Sequence, residues 1–179
     1  MPEIENSCLI VVDVQGRLAQ LMHEKERLFL NIQILIKSAK ILSIPIIWCQ
    51  QAPDALGSTI LEIVELLPDI SPINKTSFSC WDEPEFKDNL QKLKRSHPIL
   101  CGIETHICIY QTAADLNRFG YHPVIIADAV SSRTESNKIA ALNKMQVMDI
   151  EISTTEMVLL ELLRNANHEK FKQIARLVK

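Results

Sequence analysis

Three residues of this 179-residue chain have types that do chemistry together: Asp13 at the end of "CLIVVD", Lys75 in "INKTSF", and Cys108 in "GIETHICIYQTAADL". Nucleophilic catalysis by cysteine needs a thiolate and a neighbouring group that takes the thiol proton. An aspartate can accept that proton. A lysine can balance the charge and lower the thiol pKa. Each residue alone has a plainer reading: a turn aspartate, a solvated lysine, a packed thiol. What sets the three apart is position, since each follows a short apolar segment. A carboxylate directly after "LIVV" is costly to bury unless paired, and Lys75 has the same difficulty.

Those segments are the elements that must position the chemistry. Apolar runs at 8–13, 44–50, 71–79, 97–102, 122–130 and 150–154 read as strands. Between them, helical spacing appears at 28–42, 58–67, 83–96, the stretch after Gly102, 135–148 and 155–166, with a helical tail beyond. Alternating strands and helices predict an α/β fold: one domain over residues 1–179, with a six-stranded, mainly parallel sheet covered by helices on both faces. In such sheets ligands bind at the carboxyl ends of the strands, which is where Asp13, Lys75 and Cys108 fall.

The turn before Cys108 adds to this expectation. Thr105 is placed to cap the following helix, which puts Cys108 in the first turn, where the helix dipole favours a thiolate. Backbone N–H groups there could form an oxyanion hole. Gln15, Gln50, Trp81, Ile103 and Glu104 are expected to line the substrate pocket, with Trp48 a further wall candidate. His106 lies two residues from Cys108 on the same helix, so the two side chains point in different directions. Cys80 reads as a structural thiol bordering the pocket. Asp128 and Ser131, in "DAVSSR", either line the site or shape the turn.

Composition narrows the classes. The formal net charge of −3, with both signs interspersed, argues against nucleic acid as partner. No apolar run approaches the roughly 20 residues of a membrane span. The odd count of five cysteines and the absence of a CxxC pair fit a reduced, cytoplasmic protein. The four glycines form neither GxGxxG nor a P-loop, so no nucleotide cofactor is expected. No histidine occurs between His23 and His97, which disfavours a zinc site after the second strand. The tail stripe Phe171, Ile174, Ala175 and Val178 is expected to pack on the domain or a second subunit.

"LIVVDVQ", "INKTSFS" and "GIETHICIYQTA…DAVSSR…TTEMVL" together resemble the isochorismatase-like cysteine hydrolases over residues 7–163, nearest the YcaC-like branch. The resemblance implies a three-layer Rossmann-like fold and a catalytic triad of Asp13, Lys75 and Cys108. It also implies a cis peptide at Ile103–Glu104 that turns an N–H toward the oxyanion, and a homo-oligomer of two or more subunits. Relatives that cleave the vinyl ether of isochorismate lack the cysteine present here. Nicotinamidase relatives carry an Asp-x-His metal motif where this chain reads "WCQQAPDALGS". The implied activity is therefore metal- and cofactor-free hydrolysis of a small amide-like or related C–N substrate. The alternatives are a non-catalytic binding or scaffold protein and a redox-sensing thiol.

Overall fold

The computed structural model describes all residues from Met1 to Lys179. Six strands form one sheet: β1 (Ser7–Val12), β2 (Ile46–Gln51), β3 (Ile73–Lys75), β4 (His97–Ile103), β5 (Val124–Ser131) and β6 (Glu151–Ser153). Their spatial order is β3-β2-β1-β4-β5-β6 and every pairing is parallel. The continuous apolar runs are explained by this arrangement, since a parallel sheet with both faces covered exposes neither. All six residues of β1 are buried. Alternate residues divide between two cores: Leu9 and Val11 join one, Cys8, Ile10 and Val12 the other.

Nine α-helices cover the sheet. Short α1 (Gly16–Gln20), α2 (Lys25–Ile41), α3 (Pro53–Leu56) and α4 (Leu61–Val64) precede β3. Then come α5 (Pro84–Leu93), α6 (Tyr110–Arg118), α7 (Glu135–Val147), α8 (Thr155–Leu163) and α9 (Phe171–Ala175). The first core takes its side chains from α2, α4, α8 and α9, the second from α5, α6 and α7. Ile174 of α9 is fully buried, and Phe171 and Val178 pack beside it, so the tail docks on its own domain.

Four elements differ from the sequence expectation. The strand at 71–79 stops at Lys75, because the carbonyls of Ser77 and Phe78 turn back toward the Lys75 ammonium. The helix at 58–67 shrinks to Leu61–Val64, because Thr59 is held in an antiparallel bridge to Gln15. Two segments expected as loops contain α1 and α3.

The strand order reverses between β1 and β4, so a crevice opens at their carboxyl ends. Gly102 permits the close approach there. It has φ +124°, and a Cβ on it would lie 2.0 Å from the Val12 carbonyl oxygen, a backbone atom that cannot step aside. Gly102→Ala should therefore destabilise the protein by about 3 kcal/mol or more, read from urea unfolding. A loss within experimental error would show that β1 and β4 separate freely at this point.

Candidate active site

Asp13 is the residue after β1, Lys75 ends β3, and Cys108 lies in a turn of π-helix, Thr105–Ile109, that follows β4 and runs into α6. Asp13 has φ +53°, a left-handed conformation that aspartate tolerates better than branched residues. The structure brings the three side chains together. Lys75 Nζ donates to Asp13 Oδ2 at 2.7 Å, with the lysine side chain fully buried and the aspartate 3% exposed. The Cys108 thiol interacts with the same carboxylate. Asp13 Oδ1 is buried and has no hydrogen-bond partner.

Lys75 has further acceptors. Its ammonium reaches Gln51 Oε1 at 2.6 Å, Ser77 O at 3.2 Å and Phe78 O at 3.3 Å. Burial alone would lower its pKa, but the neighbouring Cys80, Asp13 and Cys108 hold it above the usual lysine value. Burial raises the Asp13 carboxyl, and Lys75 only partly offsets this. The 2.7 Å contact is that of an ammonium–carboxylate pair, and burial makes the carboxylate more basic than usual.

The thiol departs from expectation. Burial pushes the Cys108 pKa up, Asp13 adds to the rise, and Lys75 opposes it without prevailing. Cys108 thus rests as a neutral thiol beside a base, not as a free thiolate. Thr105 does not cap the helix either. Glu104 occupies the cap position without a side-chain capping bond to the helix, and the buried Thr105 hydroxyl has no partner. The Ile103–Glu104 peptide is cis.

The expected pocket walls have other partners. Gln15 is fully buried; its Nε2 donates to Gln51 O and Gly57 O, and its Oε1 accepts from Gln51 N. Gln50 Nε2 and Trp48 Nε1 both donate to Thr59 Oγ1, at 2.8 and 3.0 Å. The Ile103 side chain is in the core. The Glu104 carboxylate, also buried, accepts from Arg133 N and Nε at 3.1 Å each. Trp81 stacks on Phe119 with centroids 4.8 Å apart. Strand alternation accounts for the glutamines: Trp48 and Gln50 share the first core's face, and Gln51 lies on the opposite face with Cys49. His106 pairs with Ser132 Oγ, as its direction away from Cys108 requires. Asp128 caps Thr155, and the Ser131 hydroxyl donates to the His23 carbonyl. Lys75 also borders a cavity of about 380 Å³ with Ala52, Asp54, Asn74, Thr76 and Glu83.

Gln51 is the residue that sequence reasoning missed. The available signal was alternation in β2: if Trp48 faces one core, Gln51 and not Gln50 faces the lysine of the adjacent strand. The register pairs Gln51 with Lys75.

Residues 7–157 match the profile of the isochorismatase domain. The chain belongs to the isochorismatase domain family. A curated isochorismatase domain-containing protein 2 from Xenopus laevis is 39% identical over 145 residues, 80% of this chain and 69% of the relative. The solved structure described as MAR1 ribonuclease from Caenorhabditis elegans superposes with a TM-score of 0.93 at 34% identity, covering 99% of this chain and 91% of that one. The YcaC gene product of Escherichia coli, described as an octameric hydrolase of unknown specificity, has the same fold, with a TM-score of 0.92 at 22% identity over 98% and 88% of the two chains. The six-stranded parallel sheet with helices is thus the isochorismatase fold.

Access separates the five thiols of this isochorismatase-domain protein. Cys8, Cys49, Cys80 and Cys101 are fully buried, whereas Cys108 is 6% exposed. Limiting iodoacetamide should label Cys108 first, and the rate should keep climbing into alkaline pH because the thiol pKa is raised. Peptide mapping after partial labelling checks this; even labelling of all five would show that Cys108 has no privileged access.

Proposed function

We propose that this chain is a metal-independent cysteine hydrolase of a small amide-like or related C–N substrate. The observation that carries the reading is the Cys108 thiol beside the Asp13 carboxylate, whose Oδ2 is taken by Lys75 and whose Oδ1 is unpartnered. Because the thiol rests protonated, proton transfer accompanies attack. Asp13 takes the Cys108 proton as sulfur bonds to the carbonyl carbon, and backbone N–H groups at the start of the helix receive the oxyanion. The tetrahedral adduct collapses, Asp13 returns the proton to the departing nitrogen, and an amine and an S-acyl enzyme result. Water, activated by Asp13, then releases the acid and the free thiol.

Metal independence rests on the donor set: Gln50 and Gln51 stand after "WC", and their amides are engaged within the protein. No helix is long and apolar enough to cross a membrane. Five free cysteines support a reducing compartment, the cytoplasm. Self-association is supported by the exposed Leu30, Met157 and Leu160 on adjoining α2 and α8, and by the octameric YcaC relative.

A second reading comes from the Caenorhabditis elegans relative, whose name says ribonuclease. One assay separates the two. Purified protein, dialysed against a strong chelator, is offered a panel of small amides and, in parallel, single-stranded RNA. Release of amine that survives chelation and vanishes in Cys108→Ala is the expected result. RNA cleavage lost in the same variant, with no amide turned over, would replace the amidohydrolase reading. Zinc-restored activity would end metal independence.

A further inference from the structure

The lysine ammonium has three N–H donors. Two are spent on Asp13 Oδ2 at 2.7 Å and Gln51 Oε1 at 2.6 Å. The third is shared by the carbonyls of Ser77 and Phe78 at 3.2 and 3.3 Å. With the side chain fully buried, no donor is left for a substrate. Lys75 therefore has no hydrogen bond to offer a substrate; beyond its charge near Cys108 it acts through Asp13, and whatever fixes the ammonium also fixes the carboxylate.

Gln51 does that fixing, and it is itself held at both ends. Its Nε2 donates to Thr76 O at 2.7 Å, which orients the side-chain amide with its oxygen toward the lysine. Its backbone is gripped by Gln15, which accepts from Gln51 N at 2.6 Å and donates to Gln51 O at 3.0 Å. The contacts run from Gln15, just beyond β1, to Gln51 on β2, to Lys75 on β3, and back to Asp13 after β1. The chain of bonds closes on itself across three neighbouring strands.

We propose that Gln51, braced by Gln15, is a positioning residue. It holds the ammonium on Oδ2 so that Oδ1 stays open to the Cys108 thiol. This rests on the reading of Asp13 as base. Without the Gln51 acceptor, the ammonium has a free donor and can swing to bridge both carboxylate oxygens, which would occupy Oδ1. The structure gives the residue a purpose that packing alone does not require, since a methionine of similar size fills the same space.

The test needs no substrate. In lysine-15Nζ-labelled protein, Lys75 should give a slowly exchanging ammonium resonance, because its donors are buried and bonded. Gln51→Met should speed that exchange by about tenfold or more and slow Cys108 alkylation by a similar factor at fixed pH. Gln51→Glu keeps an acceptor at the same reach and should retain slow exchange. Gln51→Asn, one methylene shorter, should behave like the methionine variant and serves if the latter does not fold. Exchange unchanged in Gln51→Met, or equally fast in Gln51→Glu, overturns the proposal. A wild-type Cys108 that resists alkylation counts against the thiol reading and leaves the exchange comparison to decide on Gln51.

Discussion

Cys108→Ala should lose turnover by a factor on the order of 10⁴ or more, with the protein still folded. The size follows from what is removed. Without sulfur no S-acyl intermediate forms, and the remaining groups offer only binding and oxyanion stabilisation. The thiol contributes little to stability, since alanine leaves a small gap at a site that is already 6% exposed. Asp13→Asn should lose a comparable factor for a different reason. The amide cannot take the thiol proton, and the neutral thiol that burial enforces then has no base. The two losses should not add, because both residues serve the same proton transfer. Steady-state rates of the two single variants and the double variant decide this. A double variant slower than the wild type by the product of both factors would mean that Asp13 and Cys108 work independently.

Lys75→Met should be the most destabilising change in the site. It leaves the Asp13 carboxylate buried with no counter-charge, a loss of about 3–5 kcal/mol. The pH dependence has a definite sign. The native Asp13 pKa already stands above its ordinary 3.8, so the native state holds that proton more tightly than the unfolded chain. Stability from this source is fullest at acid pH and falls as pH rises between 3.8 and the raised native value. Lys75 itself favours folding below 10.5, and that contribution is lost as pH climbs through its raised native value. Removing Lys75 deletes two of the three interactions that restrain Asp13, so its native pKa climbs further and the interval widens. The destabilisation should thus be smaller near about pH 4 than near about pH 8. Asp13→Asn combined with Lys75→Met should recover much of the loss, since no buried charge then remains. Denaturant unfolding at the two pH values measures both effects. A loss independent of pH would contradict a charged buried pair.

The fold was legible because parallel strands buried on both faces leave unbroken apolar runs, and "CLIVVD", "IPIIWCQ" and "HPILCG" mark the three central strands almost to the residue. The pairing of Asp13 with Lys75 was legible because a charge directly after such a run needs a partner. What the sequence hid depends on pairing across strands. Gln15, Gln50 and Glu104 carry the polar groups expected of a pocket wall, but each is bonded to Gln51, Thr59 or Arg133, partners 36, 9 and 29 residues away. The thiol pKa was misjudged because a helix terminus and Lys75 were visible in sequence, whereas the burial that outweighs them is a property of the packed α6 and β4 surroundings. Trp81 reads as a pocket wall until Phe119, at the end of α6, is found stacked on it.

The most direct test is to look for the bond that the mechanism requires. A small amide that the protein turns over is mixed with enzyme, quenched in acid within the first turnovers, and the intact mass and peptide map are recorded. The account predicts a mass increase equal to the acyl group, confined to the peptide containing Cys108, absent from Cys108→Ala, and decaying as free acid appears. Turnover that proceeds at the full wild-type rate in Cys108→Ala, or an acyl group carried on Cys80 or another residue, would contradict it.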